Sequence, residues 1–213
     1  MFNGRTNKTT PMQHRILIAD DHSMIRKGIK LLLQTHLGIK DVAEVSSGNG
    51  VMCELQKKAY THLILDIILP DCTSLEIVPN IQRLYPDLKI MVFSMLNGTV
   101  YGEALKQYNI YYYLEKTSKE EDTVSFLDNF INHYNPAEMA TIKGTSANPF
   151  MPLSARELEV LHYMLGGYGT KDISTMLNLR MNTVSTLKNR IFEKTETANL
   201  KELMQLASLY NVS

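Results

Sequence analysis

Ile16-Leu17-Ile18-Ala19-Asp20-Asp21 is the stretch on which the fold turns. Four consecutive apolar residues are too few for a helix and lack the alternation of a half-exposed strand, so they predict a strand buried on both faces. Working outward, runs of similar size recur at Val42-Ala43-Glu44-Val45, Leu63-Ile64-Leu65, Ile90-Met91-Val92-Phe93 and Ile110-Tyr111-Tyr112-Tyr113. Stretches with helical character lie between and after them, over 23–36, 49–58, 74–84, 99–107 and 118–134. Five strands, each followed by a helix, predict an α/β fold: a doubly wound, five-stranded parallel sheet covered on both faces. Ligands of such sheets bind beyond the carboxyl ends of the strands.

The chain has 213 residues, enough for two small domains. Residues 1–14 are polar and predict a flexible N-terminus without the apolar core of a signal peptide. No apolar run reaches the roughly 20 residues of a membrane span, and a cytoplasmic, membrane-independent protein is expected. Cys53 and Cys72 lack C-x-x-C spacing, which fits reduced thiols in a reducing compartment. Formal net charge is zero, so binding to nucleic acid would require a local basic cluster.

Residues 15–134 form the first expected domain. Asn135-Pro136 opens an aperiodic segment with Gly144, Pro149 and Pro152, read as a linker over 135–151. From 152 to 213 the patterning is helical only. Ser154-Ala155-Arg156-Glu157 fits a capping box, with Leu153 and Leu158 spaced as a hydrophobic staple.

Strand ends locate the chemistry. Asp20 and Asp21 follow the first strand, Asp66 the third and Ser94 the fourth, while Lys116 lies past the fifth, so all project to one edge of the sheet. A lone Asp after a strand is ordinarily a turn former or cap, and Asp20, Asp21 or Ser23 could cap the first helix. The joint spacing argues otherwise. Three converging carboxylates repel one another unless a cation neutralises them, and an all-oxygen donor set suits Mg²⁺. A carboxylate beside such an ion, an ammonium and a hydroxyl is arranged for phosphoryl transfer, with Asp66 as nucleophile.

Asp20-Asp21, Asp66 with Pro70 four residues on, Ser94 and Tyr113-Leu114-Glu115-Lys116 resemble the flavodoxin-like receiver domain of two-component response regulators. The resemblance implies that Asp66 accepts a phosphoryl group from a histidine kinase. It further implies that Asp21, Asp66 and the backbone carbonyl of Ile68 hold Mg²⁺, with Asp20 acting through water. Lys116 would pair with the phosphoryl oxygens, and Ser94 would shift toward them, letting Tyr113 swing inward. Tyr112 departs from the family, where a small residue is usual. The side chains beside the path of attacking water are Ile68 and Leu96; neither can orient a water, so slow self-dephosphorylation is expected.

Leu153–Leu161 with Gly167–Ser174 resembles the LuxR-type helix-turn-helix of the NarL/FixJ subfamily. It implies a small all-α, four-helix DNA-binding domain. Gly166, Gly167 and Gly169 would end its first helix, Thr170 would cap the second, Asn178–Asn182 would form the turn, and Asn182 would cap the third. Thr183, Val184, Leu187 and Ile191 are expected on the apolar side. Residues 168–194 carry five Lys or Arg against two Asp or Glu, an electrostatic footprint for duplex DNA. The expected DNA contacts are Lys171, Arg180, Thr183, Ser185, Lys188, Asn189, Arg190 and Lys194.

The function expected from both halves is phosphorylation-dependent transcriptional regulation, without turnover catalysis. Expected partners are promoter DNA, a cognate histidine kinase, RNA polymerase and a second copy of the chain. A phosphorylated dimer would form through the fourth helix, fifth strand and fifth helix of the receiver, near Tyr101, Tyr108 and Tyr111, or through the Leu200, Leu203 and Leu206 stripe of the last helix. A regulator with a degenerate receiver would lack a pocket residue, and none is missing. An aspartate-nucleophile phosphohydrolase would need an acid where Ile68 stands.

Overall fold

The computed structural model describes residues 14–137, 148–210 and 212. The expectations for residues 1–13 and for most of the linker lie outside the described residues. The first unit runs β1 (Ile16–Ala19), α1 (Ser23–Thr35), β2 (Val42–Val45), α2 (Gly48–Lys57), β3 (His62–Leu65), β4 (Ile68–Leu69), β5 (Cys72–Thr73), α3 (Ser74–Leu84), β6 (Lys89–Ser94), α4 (Gly98–Lys106), β7 (Tyr112–Glu115) and α5 (Glu120–Asn132). The second unit holds α6 (Ala155–Leu165), α7 (Thr170–Met176), α8 (Met181–Lys194) and α9 (Leu200–Leu209).

Five strands form one parallel sheet in the order β2-β1-β3-β6-β7. This is the doubly wound topology expected, and its strand ends all point one way. Alternation assigns the two cores. Leu17, Ala19, Leu63 and Leu65 face α2, α3 and α4, while Ile16, Ile18, Ile64, Met91 and Phe93 pack toward α1 and α5.

Several local readings need correction. The last strand begins two residues later than expected, because Asn109 adopts φ 54° and the Ile110 N–H closes back on the Leu105 carbonyl at 3.2 Å. That bond makes 107–110 the C-terminal turn of α4, a role Asn fills because it tolerates the left-handed region. The antiparallel pair β4–β5 was not anticipated; two residues per strand give no periodic signal. Neither Asp20 nor Ser23 caps α1: His22 occupies the N-cap without a side-chain bond, and Asp20 Oδ1 accepts the His22 N–H at 2.8 Å.

Tyr112 fills the space beyond the sheet that a smaller residue would leave. Its ring stacks on Tyr134 at 5.0 Å and meets Phe126 and Phe130 edge-on or tilted, and its hydroxyl accepts the Asn135 N–H at 2.8 Å. Burial of an aromatic ring of this size stabilises the α5 side by roughly 2–3 kcal/mol.

In the second unit the capping box forms as expected: Ser154 N–H donates to Glu157 Oε2 at 2.7 Å, and Glu157 N–H donates to Ser154 Oγ at 3.3 Å. Leu153 and Leu158 are both buried. Gly167 takes φ 82° just past α6, a conformation glycine adopts without strain. Thr170 does not cap α7; Gly169 is the N-cap, and its N–H donates to Asp172 at 3.2 Å. Asn182 does not cap α8, which starts at Met181 with Arg180 as N-cap, two residues earlier than an Asn182 cap would set it. Thr183 is exposed, whereas Val184, Leu187 and Ile191 are buried as expected. In α9, Leu203 is buried, Leu206 half-buried and Leu200 exposed.

The two units touch. Helix α6 packs against α3 and α4, and Asn97 Nδ2 donates to the Tyr210 carbonyl at 2.9 Å.

Candidate functional site

Backbone bonds between strands bring the pocket together. The Asp66 N–H donates to the Ala19 carbonyl at 2.8 Å, and the Lys116 N–H donates to the Ser94 carbonyl at 2.9 Å. The five residues singled out at the strand ends therefore converge. Lys116 Nζ lies 2.6 Å from Asp66 Oδ2 and 2.6 Å from Asp20 Oδ2, and its side chain is only 3% exposed. One buried cation thus bridges two buried carboxylates, an arrangement that pins both in place.

Asp20, Asp21, His22 and Asp66 each offer a ligand atom, all within 4.8 Å of one another. Asp66 Oδ1 is buried and has no hydrogen-bond partner among the described residues. A buried carboxylate oxygen without a partner is costly. It fits a site built to take a divalent cation or an electrophile at that atom. The oxygen-rich donor set fits Mg²⁺, with Ile68 opening β4 two residues after Asp66.

Two residues near the pocket were missed in the sequence. Arg26 Nη1 donates to the backbone carbonyls of Asp20 at 2.6 Å and Asp21 at 3.1 Å, holding the acidic turn from the first turn of α1. His22 Nδ1 lies 2.6 Å from Asp21 Oδ1. Position alone could have flagged His22, which directly follows the two carboxylates; Arg26 stands five residues beyond Asp21 on α1, where an Arg ordinarily faces solvent.

Ser94 is buried at the end of β6. The Tyr113 ring sits inward, with its hydroxyl donating to the Leu96 carbonyl at 2.8 Å. A Cβ added at Gly98 would meet the Tyr113 ring at 3.0 Å, and one added at Gly102 would meet it at 3.8 Å. Burial raises the Tyr113 phenol well above its ordinary value, and the neighbouring Tyr101, Glu115 and Asp66 reinforce the shift. The ring is neutral and acts as a packing element with one hydroxyl.

Tyr101 is 1% exposed in this arrangement, in which α6 packs on α4; Tyr108 is drawn into the neighbourhood of Arg156 and Glu159. Of the three tyrosines expected near a dimer surface, Tyr111 is half-buried against the α5 side of the core. Cys72 is partly buried, and burial with the nearby Asp71 pushes its thiol up to about 12. It is inert as a nucleophile.

The candidate DNA contacts divide by geometry. Lys171, Arg180, Thr183, Ser185, Asn189 and Arg190 are exposed on α7, α8 and the turn between them. Lys188 is half-buried, with its ammonium donating to Thr170 Oγ1 at 3.3 Å. Lys194 turns back to the buried Glu157 at 2.6 Å and to the Pro152 carbonyl at 3.1 Å. That ion pair holds the end of α8 against the start of α6 and draws the Lys194 charge away from the exposed face of α8.

The family model of the response regulator receiver domain matches residues 16–128, and that of the bacterial regulatory proteins, luxR family, matches residues 151–207. The oxygen regulatory protein NreC of Staphylococcus epidermidis is 29% identical over 217 residues, covering 91% of this chain and 96% of the relative. The response regulator UvrY of Escherichia coli is 28% identical over 201 residues, covering 90% and 92%. Among solved structures, RcsB from Salmonella enterica serovar Typhimurium, bound to the promoter rprA with the phosphomimetic BeF3−, superposes with a TM-score of 0.80. It is 24% identical, over 92% of this chain and 98% of that one, a likeness of fold. Among the described residues, no helix is long and apolar enough to cross a membrane. With a receiver pocket on the first unit and a luxR-type helical unit joined to it, the chain belongs to the response regulators of two-component systems, as a transcriptional regulator of the NarL/FixJ type.

Proposed function

We propose that Asp66 is the phosphoacceptor of this regulator and that its phosphorylation by a histidine kinase controls binding of the C-terminal unit to promoter DNA. The observation that carries this is the asymmetry of the Asp66 carboxylate: Oδ2 is held by Lys116 at 2.6 Å, while Oδ1 is buried and unpartnered. Oδ1 is the attacking oxygen. It forms the new bond to phosphorus as the donor's leaving group departs with its electron pair, and Lys116 stays in place to neutralise charge on the phosphoryl oxygens. Asp21, Asp66 and the Ile68 carbonyl would hold Mg²⁺, with Asp20 acting through water; the ion supplies charge neutralisation when bound. Ser94 donates a hydrogen bond to the phosphoryl group, and the inward Tyr113 ring fits the packing that accompanies it.

The chain acts stoichiometrically and not by turnover. Its working units are the receiver at 15–134 and the DNA-binding unit at 152–213, joined by 135–151. A solved structure of two RcsB dimers bound to two parallel DNAs supports dimeric binding as the mode to test. Incubation with acetyl phosphate and Mg²⁺ should add one phosphoryl group to the wild type and none to Asp66→Ala, read by intact mass. The same samples should show the wild type alone shifting toward dimer mass by light scattering. Equal labelling of both proteins would overturn the assignment of Asp66.

A further inference from the structure

The outward face of α8 reads as a set of amides and hydroxyls. Val184, Leu187 and Ile191 are buried and fix the rotation of the helix. At 3.6 residues per turn, the side directly opposite carries Asn182, Thr186, Asn189 and Glu193, and all four are exposed. Neither the Asn182 nor the Asn189 side-chain amide has a hydrogen bond among the described residues, so each keeps its full donor and acceptor set. Thr186 commits its hydroxyl proton to the Asn182 carbonyl at 2.9 Å, so toward a base it can offer an accepting oxygen and its methyl group but no donor.

Cations are absent from this line. Arg190 flanks it on the side of Thr183, and Arg180 precedes the helix. Lys188 and Lys194 are tied to Thr170 and Glu157. Lys171, Arg180 and Arg190 carry no ion-pair partner among the described residues. They are therefore free to meet the phosphate backbone on either side of the helix. Glu193, one turn beyond Asn189, would be repelled by phosphates, so the N-terminal half of α8 is the part that enters the groove.

The chemistry of the line then selects bases. Arginine and lysine read guanine in the major groove, asparagine reads the N6 and N7 edge of adenine, and a threonine methyl contacts the thymine methyl. Seven residues at 1.5 Å place Asn182 and Asn189 about 10 Å apart, close to three base-pair steps of about 3.4 Å. Resting on the DNA-binding reading above, we infer that each half-site is recognised through two adenines about three base pairs apart, one read by Asn182 and one by Asn189. A thymine methyl meets Thr186 between them, and no guanine is read by the centre of the helix.

The test is selection from a randomised duplex library by the full-length protein activated with beryllofluoride and Mg²⁺. It is run on the wild type, Asn182→Ala, Asn189→Ala and Arg190→Ala, each checked for unchanged thermal melting. The wild type should enrich A·T pairs at two positions about three apart in each half-site. Each Asn variant should lose about tenfold preference at one of the two positions and keep the other. Arg190→Ala should weaken all sequences alike and lower the slope of log affinity against log salt by about one. Guanine enriched at either position, or unchanged base preference in both Asn variants, overturns the inference. A wild type that retains no duplex at all overturns the DNA-binding reading itself, and the inference with it.

Discussion

At the scale of single residues, the pocket is a set of committed and uncommitted atoms. Lys116 holds two carboxylates, Arg26 holds two carbonyls, and Asp66 Oδ1 holds nothing among the described residues. The lifetime of an acyl phosphate on Asp66 then depends on what can deliver water to it. Leu96 is buried, and its carbonyl is taken by the Tyr113 hydroxyl; Ile68 is half-buried, and both side chains are apolar. Neither orients a water, so the phosphorylated protein should persist for minutes or longer. Ile68→Asn adds an amide that can hold water. One such hydrogen bond, worth about 1 kcal/mol, should speed decay about fivefold, measured by loss of the phosphorylated mass over time. A wild-type half-life of seconds would overturn this account of Ile68 and Leu96. The pocket was legible because its residues come at strand ends, where position follows from topology. Arg26 was not, since an Arg on an amphipathic helix normally solvates a surface and nothing local marks one that turns back to the preceding loop.

At the scale of elements, helix α4 and strand β7 meet through two glycines and one ring. The space at each glycine decides the sign of a substitution. At Gly98 an added Cβ comes within 3.0 Å of the Tyr113 ring, which is fixed by its bond to Leu96 and cannot give way cheaply. Gly98→Ala should therefore cost about 1–3 kcal/mol of stability as overpacking, and it should weaken the dependence of DNA affinity on phosphorylation because the ring is displaced. At Gly102 the same atom stands at 3.8 Å from the ring, an ordinary contact, in the interior of the helix. Gly102→Ala should stabilise by about 0.5–1 kcal/mol through helix propensity. Denaturant melts of the two variants check both signs; equal effects would show that the ring does not constrain α4. Elements were legible where the period was sustained: α3 falls on the expected 74–84, and β1 and β2 match residue for residue. They were displaced where a single backbone torsion intervened. The φ of 54° at Asn109 moved the start of β7, and no apolar pattern encodes such a torsion when the residue is Asn.

At the scale of the whole molecule, the junction between the units carries a buried acid. Glu159 on α6 is 3% exposed and pairs with Arg156 on its own helix, while Glu76 reaches it from α3 and Tyr108 and Tyr163 lie close by. Burial raises its carboxyl to about 7; Arg156 opposes the rise and Glu76 adds to it. A contact between residues this far apart in the chain leaves no trace in either local pattern, which is why the junction could not be read in advance. The sign of its effect follows from linkage. With a folded value above the ordinary 4.5, the protonated form is favoured in the packed state. The contribution is therefore complete below pH 4.5 and is lost as pH rises through about 7. Its full size is at most about 3 kcal/mol, which converts to several degrees in melting temperature for a protein of this length. Other groups titrate in the same range with the opposite sign. His62, held by burial at about 3, withdraws stability as pH falls below its ordinary 6.5. The informative quantity is therefore the difference between wild type and Glu159→Gln. The variant should gain on the wild type by several degrees between pH 5 and pH 8, because Gln keeps the size of the side chain and cannot ionise. Melting curves that stay parallel across that interval would show that Glu159 does not carry its charge into the junction, and that the contact between α6 and α3 is indifferent to pH.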